Sequence, residues 1–366
     1  MSDPNAVGAA VHSYPCHACG ATLEYAPGTS AMRCPYCHHE EQIVSEARLV
    51  HEHAFAELTR LPVRSGTAGG VNAFVCPGCG ARTESDTLSE RCQFCTTPLI
   101  ADVEATERVV PEALLPFGLD GDGARQALRT WTSSRWFAPS SLKKVTAAET
   151  LKGTYLPYWT YDARTVSDYS GQRGDYYYVT ESYTVTENGQ SRTETRQVRK
   201  TRWSRARGTV SRVFDDVLVA ATTRLGSPQL AKLTPWPLEQ ALPYQAEYLA
   251  GFQTMRYDIE PEDGLDLAKQ EMAKVIEDDC RHDIGGDEQR VQSVSTQYSD
   301  LTYKLVLLPV WFLSYLHAGR SWQVMLNART GEITGERPYS AGKIAAAVLA
   351  ALLVVAAIAL IVSRTR

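Results

Sequence analysis

The chain lacks the signatures of the familiar nucleotide-using and hydrolytic enzymes. No GxxxxGK[ST] phosphate loop, GxGxxG dinucleotide turn, HExxH helix or GxSxG elbow occurs in its 366 residues. Net charge is scarce as well. Its 37 Lys and Arg against 42 Asp and Glu leave −5, too little to attract nucleic acid or acidic lipid to the molecule as a whole. The N-terminus, Met1 to Ala10, has neither a basic n-region nor an apolar h-region, so no signal peptide is read there. With 44% hydrophobic and 22% charged residues, the balance is that of a globular protein of two or three units. That excludes wholesale disorder, collagen and a multi-span membrane protein.

The cysteines, by contrast, are concentrated. Eight of the nine form four Cys-x-x-Cys pairs within the first 95 residues: Cys16/Cys19, Cys34/Cys37, Cys76/Cys79 and Cys92/Cys95. Without an address for secretion a reducing compartment is expected, where such pairs hold metal rather than disulfides. Each pair bends into a knuckle that presents two thiolates, and Gly20 and Gly80 follow at the position that needs a positive φ. Two knuckles close a tetrahedral shell of four thiolates with no open position, which suits structural zinc; iron of the rubredoxin type would use the same ligands. The expectation is two zinc ions, one in a β ribbon over residues 12–45 and one in a ribbon over 74–100. Modules this small draw most of their folding energy from the metal. Residues 1–110 carry 7 Lys/Arg against 13 Asp/Glu, a formal −6, and each tetrathiolate centre adds about −2. Ribbons this acidic are poor readers of nucleic acid.

One long apolar run stands out, Ile344 to Val362, 19 residues without a charge between Lys343 and Arg364. At about 1.5 Å per helical residue it spans about 28 Å, close to the ~30 Å hydrocarbon core. This predicts a single-pass C-terminal anchor with the N-terminal bulk in the cytoplasm, the arrangement that moves least chain across the bilayer. A buried core helix is the competing explanation.

Residues 46–73 read as a helix and a Gly/Ala-rich linker: Ser45 can cap, Leu49, Phe55 and Leu58 give a partial apolar stripe, and 61–73 follow as linker. Residues 109–338 read as an α+β body. Helical stretches Ala124–Trp136 and Leu265–Ile276 each follow an Asp-Gly turn and precede a Leu-Pro-x-Trp segment, ending at Trp159 and Trp311. The recurrence predicts a duplicated helix-plus-antiparallel-strand unit, residues 110–215 and 216–338, against chance recurrence of short motifs. Proline should confine those strands to an edge or an end, with the tryptophans in the core. Tyr176–Thr186 and Ser191–Trp203 form a long hairpin about Asn188-Gly189. Leu301–Leu316, Ser321–Leu326 and Gly331–Thr334 form a smaller antiparallel sheet.

Arg192 to Arg212 holds eight basic residues interleaved with Trp203 and preceded by tyrosines. Three readings stay open: a solvated face paired with Glu181, Glu187 and Glu194, a surface for anionic headgroups, or a nucleic-acid site through Arg199, Lys200, Arg202, Arg205 and Arg207. Cys280, His282 and Asp283 read as a helix-end cluster, since triads are assembled from distant segments. His51 and His53 fall on different helical faces, and His38 and His39 are superfluous to a filled four-cysteine shell. No catalytic site is expected.

The ribbons, Leu156-Pro-Tyr-Trp-Thr-Tyr-Asp162, Arg202-Trp203, Phe214-Asp-Asp-Val217, Tyr248-Leu-Ala-Gly-Phe252 and Gly331-Glu-Ile-Thr-Gly335 followed by Pro338 resemble a bacterial family of TFIIB-type zinc-ribbon membrane proteins. The resemblance covers most of residues 12–366. Some members bear the label "primosomal protein N′, superfamily II helicase", but this chain has no helicase nucleotide motif. The resemblance implies two zinc ribbons, a soluble α+β body and a membrane tail, and names no reaction. The expected function is a non-enzymatic, membrane-anchored adaptor for a protein partner; the alternative is a membrane-tethered nucleic-acid-binding factor.

Overall fold

The two Leu-Pro-x-Trp segments are hydrogen-bonded neighbours in the middle of the main sheet. In the computed structural model the described residues are 14–44, 48–60, 63–65, 72–75, 82–85, 100–101, 107–134, 151–187, 190–317, 320–335 and 340–364. Within them the ribbon strands are β1 (Glu24–Tyr25), β2 (Ala31–Arg33) and β3 (Glu40–Gln42), and the first helix is α1 (Gly121–Ser133). Strands β4 (Leu151–Glu187) and β5 (Gln190–Ala220), helix α2 (Pro261–Ile284) and strands β6 (Glu288–His317), β7 (Arg320–Asn327) and β8 (Ile333–Gly335) make the rest of the body.

Strands β4 and β6 run antiparallel with Leu156 opposite Leu308, Tyr155 opposite Pro309 and Pro157 opposite Leu307. The prolines are therefore not confined to an edge. Each lies where an outer strand ends instead. The Ala221 N–H donates to the Pro157 carbonyl and the Ala328 N–H to the Pro309 carbonyl, both at 3.0 Å. A residue's N and O point to the same side of a strand, so each missing N–H faces that terminus and the β4–β6 ladder loses nothing.

The same arrangement surrounds both motifs. The Trp159 indole donates to the Ile259 carbonyl at 2.8 Å, and the Tyr257 ring meets it edge-on at 5.1 Å, just before α2 begins. The Trp311 indole donates to the Leu119 carbonyl at 2.9 Å, and the Phe117 ring meets it at 5.2 Å, just before α1 begins. Upstream, Ala113–Leu114 pairs parallel with β6 at Val306–Leu307, and Gln253–Thr254 pairs parallel with β4 at Thr154–Tyr155. Each tryptophan thus seats against the start of the helix from the opposite half.

Beyond the tryptophans the halves differ. Strand β4 continues 28 positions past Trp159, to Glu187, whereas β6 continues six past Trp311, to His317. The extra length builds an arm. Strand β6 accompanies it only to the pair Gly174–Glu288. From there Asp175–Glu187 and Gln190–Arg202 continue as a two-stranded ribbon, reaching up to about 43 Å at ~3.3 Å per residue. Glu187 opposite Gln190 leaves the expected two-residue turn, whose residues lie outside the described ones.

Where the arm leaves the body, both outer strands bulge. Asp215–Asp216 of β5 oppose a single β4 residue, and so do Asp300–Leu301 of β6, on either side of Asp162–Ala163. Asp216 and Asp300 take φ of 52° and 50°, the left-handed conformation in which aspartate is among the better-tolerated side chains. Helix α2 covers one face of the arm's root. Its buried stripe Leu265, Ala268, Met272, Ile276, Cys280 and Ile284 lies against Trp159, Tyr161 and Tyr169.

Of the stretch expected to form a helix at 45–60, the described residues 48–60 fold otherwise. His53–Ala54 pairs with β6 at Tyr303–Thr302, and Phe55–Arg60 is a short 3-10 turn. The apolar stripe there is too sparse to hold an α-helix, and sheet pairing delivers Phe55 to the Tyr303 ring at 5.5 Å instead. Part of the expected linker is also ordered into strands: Val63–Ser65 pairs with Glu107–Val109, and Asn72–Val75 begins the second module.

Helix α3 (Ala341–Arg364) contains Gly342–Ser363, long and apolar enough to cross a membrane and unburied by the rest of the chain. Strand β8 precedes it, paired with Val324–Leu326 of β7, which lie level with Trp311–Leu313 of β6. Antiparallel to β7, β8 runs with β6, so the chain leaves the sheet at the end opposite the arm.

Candidate metal centre and projecting arm

The first cysteine module is a three-stranded sheet in the order β1-β2-β3. Its knuckles repeat one hydrogen-bond pattern. The Cys16 N–H donates to the Ala21 carbonyl and the Gly20 N–H to the Cys16 carbonyl; the Cys34 N–H donates to the His39 carbonyl and the His38 N–H to the Cys34 carbonyl. The turn needs a left-handed residue four positions after the leading cysteine. Gly20 supplies it at φ 76° and His38 at φ 59°, so His38 has a backbone role. The strand pairs flanking the knuckles, Pro15 with Thr22 and Arg33 with Glu40, join the residue before the leading cysteine to the sixth after it.

All four Sγ atoms of Cys16, Cys19, Cys34 and Cys37 lie within 4.8 Å of one another, with Cys16–Cys37 at 3.6 Å and Cys19–Cys34 at 3.5 Å. None is in a disulfide. A tetrahedron with Zn–S bonds of ~2.3 Å has edges of about 3.8 Å, so the four thiols already have the shape of the ion's shell. Foremost the Cys37 N–H, with that of Tyr36, lowers the Cys34 thiol to about 7 against the opposing effect of burial. Outside the shell, His17 Nδ1 and backbone N–H lie 2.8 and 3.2 Å from Glu41 Oε1, and hold that carboxylate below its ordinary value. Leu23, Tyr25 and Met32 on the inner side pack with Phe117, Tyr155 and Tyr248, which fixes the ribbon to the body.

The second set, Cys76, Cys79, Cys92 and Cys95, lies outside the described residues. Their flanks are described: Asn72–Val75 pairs with Arg82–Ser85, and Val75 stands opposite Arg82. That pair again joins the residue before a leading cysteine to the sixth after it. The strand Arg82–Ser85 also attaches this module to the main sheet through Thr254–Met255.

The basic strand is β5. Its guanidinium groups lie over the aromatic rings of the arm: Arg199 on Tyr176 at 4.1 Å, Arg202 on Tyr177 at 5.1 Å and Arg196 on Tyr183 at 5.5 Å, with Arg290 of β6 on Trp203 at 3.9 Å. Lys200 pairs with Glu181 at 2.9 Å, and Arg212 with Asp279 through contacts of 2.5 and 2.6 Å. Arg205 and Arg207 are exposed and have no acidic partner among the described residues.

Cys280 is fully buried, and burial pushes its thiol up, the reverse of activation. Asp283 accepts from the Tyr169 hydroxyl at 2.6 Å. The His51 and His53 rings lie 5.0 Å apart, and His53 Nε2 meets Glu112 at 3.4 Å. Sequence reasoning missed a polar cluster at the arm's root. The carboxylates of Glu52, Asp162 and Asp216 gather there around Lys304, which pairs with Glu52 and lies 2.6 Å from Asp216 Oδ1. Asp162 also accepts from the Asp216 N–H at 2.7 Å and the Thr302 hydroxyl at 2.9 Å.

No family model and no solved structure matches the chain. It is similar to the uncharacterized protein YdjG of Bacillus subtilis (strain 168), 24% identical over 335 residues that cover 91% of this chain and 92% of that protein. That likeness assigns no activity to either chain.

Proposed function

We propose that the protein is a membrane-anchored, zinc-binding adaptor whose arm engages a protein partner, with the N-terminal bulk facing the cytoplasm. The observation that carries this reading is the arm. Two strands extend far beyond any core that needs them, while the surroundings of the two tryptophans repeat. The body is then a duplicated unit in which the first copy has been elaborated for contact and the second leads to the membrane tail. A closed four-thiolate shell has no position for substrate, which fits a scaffold rather than a reaction centre. A second zinc belongs to Cys76, Cys79, Cys92 and Cys95, supported by the strand pairing that Val75–Arg82 shares with both knuckles of the first ribbon.

Two observations favour a protein over the other partners. Single-stranded nucleic acid binds by stacking bases on open aromatic faces, yet Tyr176, Tyr177 and Trp203 already lie beneath guanidinium groups. Anionic headgroups would have to reach basic residues at the end of the sheet opposite the chain's exit toward α3. A photo-crosslinking residue at Thr193 or Gln197, both exposed on the arm, tests the reading in living cells. Discrete protein adducts are expected. Adducts only to nucleic acid or lipid would overturn it.

A further inference from the structure

Among the described residues, the arm from residue 175 outward is a ribbon of two strands with no third strand beside it. Such a ribbon is marginal by itself in water, because neither face is covered and both edges leave backbone groups unpaired. Among the described residues, Gln190–Ala220 pairs on one side only, with β4. Every second residue of that strand therefore directs its N–H and C=O outward. The open edge is also strongly basic. Arg192, Arg196, Arg199, Lys200, Arg202, Arg205 and Arg207 lie between residues 190 and 207, with Glu194 the single acid. Alternation places Arg196, Lys200 and Arg202 on one face and Arg199, Arg205 and Arg207 on the other, so an added strand would meet cations on both.

We infer that the open edge of β5 receives an extended acidic polypeptide segment of the partner as an additional β-strand. This deepens the adaptor reading and rests on it. Main-chain hydrogen bonds supply the affinity, and cross-strand pairing of carboxylates with Arg205 and Arg207 supplies the selectivity. Arg196 lies against Glu181, Arg192 lies 3.9 Å from Glu194, and Arg199 and Arg202 lie over tyrosine rings, whereas Arg205 and Arg207, opposite Gln172 and Ser170 at the arm's root, have neither an acid nor a ring among the described residues. A second copy of the chain fits less well, since two β5 edges would set base against base. The opposite edge of the ribbon has another character: Asp175, Glu181 and Glu187 make it acidic, so charge directs the incoming segment to β5.

The test uses the full zinc-loaded chain in phosphatidylcholine nanodiscs and a fluorescent 12-residue peptide of alternating Thr and Glu. A control peptide of the same sequence is N-methylated at every residue, which keeps the charge and removes the N–H donors from both edges of the strand. Saturable binding is expected, weakened at least tenfold by N-methylation and at least tenfold by Arg205→Glu with Arg207→Glu. Both arginines are exposed, so that variant retains the fold. Equal binding of the methylated peptide, no binding of the parent peptide at 50 mM salt, or displacement by a 12-nucleotide single strand at lower concentration would each overturn the proposal. If the peptide fails while the crosslinks at Thr193 and Gln197 persist, strand addition falls and the adaptor reading stands.

Discussion

The ammonium of Lys304 lies 2.6 Å from Asp216 Oδ1 on a β-bulge, and it pairs as well with Glu52, 252 positions earlier in the chain. Burial opposes its charge, but the two carboxylates prevail and hold its pKa above the ordinary 10.5. The cluster ties the segment that follows the first ribbon to the root of the arm. Lys304→Met should cost about 2–3 kcal/mol, because two partly buried carboxylates lose their cation. Adding Asp216→Asn should recover part of that loss. Urea denaturation of the two variants checks both. A folded-state pKa that is raised contributes stability below the unfolded value, lost as pH rises through the folded one, so the cost of Lys304→Met should shrink only above pH 10.5.

Helix α2 approaches the sheet most closely at Gly264. A methyl group there would meet the Tyr161 hydroxyl at 2.3 Å and Trp159 Cδ1 at 3.0 Å, while the same hydroxyl donates to the Pro261 carbonyl at 2.6 Å. Gly264→Ala gains about 1 kcal/mol of helix propensity but forces α2 off Trp159, for a net loss of about 1–2 kcal/mol. Gly342→Ala, in a helix and with nothing within 4 Å, should cost nothing. Melting temperatures of the pair make the comparison.

Removing one ligand should remove one ion. On the proposed two-zinc reading, Cys34→Ser is expected to lower the zinc content by one ion per chain and to unfold the first ribbon, with loss of the packing of Tyr25 on Tyr248. Elemental analysis reads the metal. Two zinc ions retained, with native melting, would show that the four-cysteine assignment is wrong.

Arg212 and Asp279 join β5 to α2 through a two-bond contact, and the hydrogen bond from Arg212 holds the Asp279 carboxyl below its ordinary 3.8. A depressed carboxylate contributes stability above the unfolded pKa and loses it as pH falls through the folded one. The pair is half open to water, so Asp279→Asn should cost only about 0.5–1 kcal/mol at pH 7. Denaturation curves for variant and parent should converge below pH 3.8.

What was legible in the sequence was local. A knuckle is decided within eight residues, so Cys16 to Cys37 could be read from spacing; the stripe of α2 and the turn at Asn188-Gly189 are equally short-range. The relationships that were not legible span the chain. Lys304 finds Glu52, Asp162 and Asp216 only once three strands and a connecting segment have assembled. Pro157 and Pro309 look like edge residues until the termini of β5 and β7 are known to lie beside them. The arm was read as a hairpin of about eleven residues a side because its inner half, Ala163 to Gly174, is rich in Ser, Gly, Asp and Arg. Those residues carry weak strand propensity, and the third strand makes up the deficit.

The paired bulges at Asp216 and Asp300 have a mechanical meaning. They interrupt both outer strands at one level, so that β4, with α2 laid across from Trp159 to Tyr169, is the continuous connection between body and arm. From Ala163 to Glu187 the strand extends up to about 79 Å, so a rotation of about 5° at the bulges moves the tip by about 7 Å. Were α3 held in a bilayer, the molecule would work as a fishing rod: a still handle, a stiff joint, and a tip that sweeps a radius far wider than the body it grows from.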